Sequence, residues 1–115
     1  MSRKAPQVHP DAHSPEAALR KMREAVAAAR YVTHPRVLGR LPELGLAPGE
    51  VREALEAALG EVTLEDYKAP DHAFNPPGHG FVWQSRRFGC RMYLKFRLEG
   101  KKPVCCLYSL HKDDY

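Results

Sequence analysis

Phe81–Leu98, FVWQSRRFGCRMYLKFRL, reads as two short strands joined at Phe88-Gly89-Cys90-Arg91. Its second half alternates. Met92, Leu94, Phe96 and Leu98 fall on one face and Arg91, Tyr93, Lys95 and Arg97 on the other, the period-two signature of a half-buried strand. A two-residue turn at Gly89-Cys90 predicts Arg91 opposite Phe88, Tyr93 opposite Arg86, Lys95 opposite Gln84 and Arg97 opposite Val82. On the other face it sets Trp83 against Phe96 and Phe81 against Leu98. One face then suits a core, while the other gathers Gln84, Arg86, Arg91, Tyr93 and Lys95 into a cationic surface. Arg87 falls on the apolar side and fits only if it escapes at the end of the hairpin. Between Asp71 and Glu99 the chain has no carboxylate. A charged sheet face can simply blunt aggregation; a cationic row with no compensating acid can equally bind a polyanion. Pattern alone does not separate the two.

A chain of 115 residues argues for one domain, taken here as residues 14–115. Residues 1–13 have neither periodicity nor an apolar face and are expected to be a flexible terminus. Hydrophobic content of 43% with 28% charged residues is ordinary for a globular protein. No apolar run approaches the ~18 residues of a membrane span, and the start lacks an apolar signal region, so a cytoplasmic protein without membrane contact is expected. Three cysteines include no CxxC; Cys105 and Cys106 would point to opposite faces of a strand, so reduced, buried thiols are the simplest account. The six histidines show no ligand spacing, so neither a metal nor another cofactor is expected. The net charge of +4 suits an acidic partner.

Along the chain, Ser14-Pro15-Glu16 is a helix start, with a hydroxyl cap, proline at the first position and an acid in the first turn. The helix should run to about Arg30, burying Ala18, Leu19, Met22, Ala25, Val26 and Ala29, with Lys21, Arg23 and Glu24 solvated. Thr33 is read as the cap of a second helix from Pro35 to about Leu44, kinked or stopped by Pro42 and ended by Gly45. A third starts near Pro48, with Val51, Leu55, Ala58 and Leu59 inward and Gly60 just past its end. Thr63 caps a single turn, Leu64–Lys68. The stretch 69–80, with three prolines and two glycines, reads as loop. Pro103–His111 is a last strand, apolar on both faces, and KDDY a fraying tail. The expected fold is therefore α+β, with N-terminal helices packed on a small antiparallel sheet of three strands and room for a further short one.

The segments LPELGLAPGEVREALEAALGEVTLEDYK, VWQ, MYLKF and SLH, in that order between Tyr31 and His111, resemble the MqsR family of toxins from bacterial type II toxin–antitoxin systems. The resemblance implies a RelE-like fold and an mRNA interferase, a metal-independent endoribonuclease that cleaves single-stranded mRNA when the 2′-hydroxyl attacks the adjacent phosphate. It implies action on free RNA and a cognate antitoxin protein as partner. The family's site residues match Lys68, Gln84, Tyr93 and the position of His111, where some members carry lysine; Lys112 is a stand-in there.

In-line cleavage needs a base near the 2′-oxygen, an acid near the leaving 5′-oxygen and cations for the transition-state charge. Imidazole titrates nearest neutral pH, which suits His111 to carry a proton. Tyr93 could orient or donate, and Gln84 could hydrogen-bond ribose or base. Lys68, Arg86 and Lys95 could hold phosphates, with Arg91 and Lys112 adding RNA contacts. The dull readings are a packed tyrosine, a solvent-exposed histidine and a lysine at a helix end. Trp83 belongs in the core, and His79, between glycines, in a turn. A non-catalytic nucleic-acid-binding module, or an inactive toxin relative acting through protein interaction, would need the same charge. Register supplies an internal test. A two-residue turn after Glu99 pairs Tyr93 with Tyr108 and turns His111 away. A three-residue turn at Gly100-Lys101-Lys102 pairs Tyr93 with Ser109 and Arg91 with His111, keeping the site on one face, and is the expected form.

Overall fold

The computed structural model describes residues 14–71 and 78–113, and it is α+β. The flexible terminus expected at residues 1–13 and the loop at 72–77 lie outside the described residues. Helix α1 (Pro15–Ala27) starts as its sequence dictates, with Ser14 Oγ accepting from the Ala17 amide at 3.1 Å. It ends before Arg30 because Ala29 turns to φ 59°, so Ala29 leaves the apolar stripe and is exposed. A three-residue strand, β1 (Tyr31–Thr33), follows, then α2 (Pro35–Arg40). The cap of α2 is His34, not Thr33: its Nδ1 accepts from the Arg36 amide at 3.1 Å. Pro42 tightens the continuation into a 3-10 turn, Leu41–Leu44, which Gly45 closes at φ 74°.

Helix α3 (Val51–Glu61) runs one residue past Gly60. Its end is capped from outside: Arg23 of α1 donates to the carbonyls of Leu59 and Val62, each at 2.9 Å from Nη2. Arg23 is exposed, as expected, and also caps the helix, which removes the need for glycine at the C-terminus.

Five strands form one mixed sheet in the order β1-β5-β4-β3-β2, comprising β1, β2 (Tyr67–Asp71), β3 (Gly78–Gln84), β4 (Arg91–Glu99) and β5 (Val104–Lys112). The expected all-antiparallel sheet is corrected at β1, which pairs parallel to β5. Tyr67 and Lys68 begin a strand rather than ending a turn, and Pro70 is tolerated because β2 is an edge strand. The helices cover one face, where Phe81, Met92, Leu94, Phe96, Leu98, Cys105, Leu107 and Leu110 are buried with Val26, Val37, Leu41 and Leu55. Phe81 stacks on Phe96 with centroids 6.0 Å apart, and Tyr67 meets Phe81 edge-on. Of the three thiols only Cys105 is buried; burial first, and then neighbouring Cys106, push it up to about 12. Among the described residues no helix is long and apolar enough to cross a membrane.

The β3–β4 connection is wider than a two-residue turn. Gln84 pairs with Arg91, Val82 with Tyr93, Trp83 with Met92 and Phe81 with Leu94, leaving Ser85–Cys90 as the loop. The difference from the expected register is an even number of residues, so each side chain keeps its face. Arg86 and Arg87 leave the strand and are exposed in the loop.

The reason for the wide loop is Glu61, the last residue of α3. Its Oε1 accepts from Trp83 Nε1 at 2.9 Å and Ser85 Oγ at 2.7 Å; its Oε2 accepts from the amides of Arg86 at 2.8 Å and Arg87 at 2.9 Å. Burial raises the carboxyl's pKa, but the hydrogen bonds from Trp83, Ser85, Arg87 and Arg86 outweigh it and bring it from 4.5 to about 2. The folded state therefore holds this proton less tightly than the unfolded chain does. The resulting stabilisation is complete above about pH 4.5 and is lost as pH falls towards 2. Glu61→Ala leaves the indole N–H, the buried hydroxyl and two amides without their acceptor. Urea unfolding should show a loss of about 2–4 kcal/mol at neutral pH. Glu61→Gln should flatten the fall in stability below about pH 4.5 that the parent shows; an unchanged acid slope would contradict this role.

Candidate active site

The sheet face turned away from the helices carries one proposed residue from each of four neighbouring strands: Lys68 on β2, Gln84 on β3, Tyr93 on β4 and His111 on β5. Tyr93 and His111 are direct cross-strand partners, with ring centroids 5.5 Å apart. They meet by a different route from the expected three-residue turn. The β4–β5 connection is Gly100–Pro103, and Leu98 pairs with Cys105 and Phe96 with Leu107. That register alone would turn His111 towards the helices. Between Phe96–Leu107 and Lys95–Ser109, however, Tyr108 is an extra residue on β5. This bulge reverses the alternation, so Leu110 takes the core side and Ser109 and His111 take the open side.

His111 is half-buried, and its Nδ1 lies 2.7 Å from the carbonyl oxygen of Lys112. A carbonyl can only accept, so Nδ1 carries the proton and Nε2 is the lone-pair nitrogen of the neutral ring. Tyr93 leans across β3: a Cβ built on Gly80 would lie 3.4 Å from Tyr93 Oη. Gly80 pairs with Lys68, whose exposed side chain is thereby set on the flank to which the phenol points. Gln84 is exposed on the opposite flank, in register with Arg91.

The cationic set is smaller than the sequence suggests. Lys95 is 3% exposed, its stem lying over Gly78, where an added Cβ would come within 2.9 Å of Lys95 Cε. It is therefore withdrawn from the exposed row. Arg91 is exposed but bonded through Nε to Asp113 Oδ2 at 2.9 Å, and Arg97 pairs with Glu99. Asp113 was expected in a fraying tail; instead its amide donates to the Arg91 carbonyl at 2.8 Å and its carboxylate faces the guanidinium. The gap without carboxylates between Asp71 and Glu99 is thus not a face without carboxylates. Lys112 pairs with Met92, which puts it on the other side of the sheet from His111, so it cannot replace His111 there. Arg86 and Arg87 stay exposed on the loop held by Glu61.

Gly78, His79 and Gly80 are strand, not the loop that their composition predicts. Gly78, Gly80, Val82 and Gln84 continue one face of β3, and His79, Phe81 and Trp83 the other. The glycines leave room for Lys95 and Tyr93, while His79 is buried, its Nδ1 3.2 Å from the Tyr67 hydroxyl. The signal was present: the alternation of FVWQ extends back through GHG. Among the described residues no group of three or more His, Cys, Asp or Glu side chains could hold a metal ion. Comparison of the chain with protein-family models, curated proteins and solved structures finds no match.

Gly78→Ala should destabilise the protein by about 1–3 kcal/mol in urea unfolding, because the new methyl also meets the Phe96 carbonyl oxygen at 3.0 Å, which is backbone. Gly80→Ala, at 3.4 Å from a side-chain hydroxyl, should cost about 1 kcal/mol or less. Equal losses in the two variants would contradict this packing.

Proposed function

We propose that this protein is a metal-independent endoribonuclease, an mRNA interferase toxin of the MqsR type with a RelE-like fold, whose substrate is single-stranded mRNA and whose partner is a cognate antitoxin. The observation that carries the reading is the Tyr93–His111 pair on the open sheet face, with the imidazole proton held on Nδ1 by the Lys112 carbonyl. In this reading His111 Nε2 takes the proton of a ribose 2′-hydroxyl as the oxygen attacks the adjacent phosphate. The bond to the 5′-oxygen breaks, that oxygen takes a proton from the Tyr93 hydroxyl or from water, and a 2′,3′-cyclic phosphate remains. Tyr93 orients or protonates a phosphate oxygen, Lys68 offsets the growing negative charge, and Gln84 engages ribose or base. Arg86 and Arg87 extend the cationic track for the RNA backbone.

Purified protein should cut a labelled single-stranded RNA in the presence of EDTA and leave fragments ending in 2′,3′-cyclic phosphate. His111→Ala should lower the rate by about 10²–10⁴-fold. RNA bound but left intact, with binding unchanged in His111→Ala, would replace the reading with a non-catalytic RNA-binding module. Absence of both binding and cleavage would sink it.

Asp113→Asn should strengthen RNA binding, because it frees the Arg91 guanidinium for a phosphate. The slope of log affinity against log salt should steepen by about one. An unchanged slope would show that Arg91 does not meet the RNA.

A further inference from the structure

At the other end of the open face, a depression of about 150 Å³ lies between β1 and β5, lined by Val32, Thr33, His34, Cys106, Leu107 and Tyr108. We propose that it is a second RNA subsite, taking one unpaired nucleobase against the Tyr108 ring; this rests on the RNA reading above.

Four features carry the inference. The lining has an aromatic ring and an imidazole with centroids 5.7 Å apart and contains no carboxylate. A volume near 150 Å³ accommodates a six-membered ring. The guanidinium of Arg97 lies 5.7 Å from the Tyr108 centroid on the β4 side, with Glu99 as its ion-pair partner, so it steadies the ring. Val32 is 56% exposed, an apolar surface at the mouth that the fold itself does not cover. His34 adds polarity of known sense. Its Nδ1 accepts from the Arg36 amide, so the neutral ring carries its proton on Nε2 and can donate to a base.

The bulge that aims His111 also creates this site, because Tyr108 is the inserted residue and shares the face with Ser109 and His111. From Tyr108 to His111 is three residues, roughly 10 Å along the strand, close to three stacked nucleotide steps at ~3.4 Å each. A single strand crossing the Tyr93–His111 pair therefore reaches the depression without a gap. Stacking on an aromatic ring tolerates any base, so the subsite adds affinity and length dependence more than sequence choice.

The test uses single-stranded 2′-O-methyl RNA octamers, which lack the attacking hydroxyl, with 2-aminopurine placed at each position in turn. The intact protein should bind them and alter the fluorescence strongly at one position a few nucleotides from the step cut in the unmodified RNA. Tyr108→Ala should weaken binding about tenfold and remove that positional signal, while Tyr108→Phe keeps both. Val32→Glu, at an exposed position, should weaken binding likewise without loss of fold and so carries the test should Tyr108→Ala not fold. Octamers bound equally tightly by Val32→Glu, or by folded Tyr108→Ala, with the positional pattern unchanged, would overturn the subsite and leave the nuclease reading standing. Octamers not bound by the parent protein would overturn both.

Discussion

Glu61 joins the two halves of this fold. It is the last residue of α3, and its two oxygens take the Trp83 indole, the Ser85 hydroxyl and two successive loop amides. Trp83 is buried in the core and Arg86 and Arg87 are exposed, so one carboxylate links the packed face of β3 to the cationic loop beyond it. A charged acceptor for four donors is stronger than a neutral turn could supply. It also explains why six residues, not two, separate β3 from β4. The wide loop in turn fixes which residues of β3 stand opposite Tyr93, and Val82 rather than Arg86 does so.

A second constraint acts on β5. Cys105 and Leu107 face the helices on odd numbers, and Leu110 faces them on an even one. The switch at Tyr108 lets a strand begin under α1 and α2 and still deliver His111 to the opposite face. It sets two aromatic positions, Tyr108 and His111, on one surface. The β3 glycines complete that surface from the other side: Lys95 lies where a side chain on Gly78 would clash, and Tyr93 rests against Gly80. The hydrogen bond that His111 Nδ1 donates to the Lys112 carbonyl, with the pairing to Tyr93, then fixes the histidine's tautomer and position.

Much of this was legible in the sequence, for physical reasons. The α1 cap, the stripes of α1 and α3 and the alternation of β4 depend on neighbours within a few residues. The face of each β4 residue was legible too, because an even shift of register preserves it. What was illegible depends on contacts far apart in the chain. The capping role of the exposed Arg23 was illegible because its acceptors are carbonyls 36 and 39 residues away. Arg91 looked free because Asp113 lies 22 residues on, beyond β5. Tyr31–Thr33 had β-branched and aromatic composition but too few residues for a period, and the glycines of β3 resembled punctuation. The bulge at Tyr108 had no local mark. Same-face placement of Tyr93 and His111 was therefore anticipated with the wrong pairing.

The proposed function is chemical: the groups around Tyr93 and His111 are proposed to make a ribose 2′-hydroxyl attack the adjacent phosphate. The most direct measurement compares two single-stranded RNAs identical except for one 2′-deoxy nucleotide on the 5′ side of the scissile phosphate. Cleavage of the all-ribose strand with the substituted strand intact at that step is the predicted result. Equal cleavage of both, or of neither, would contradict it.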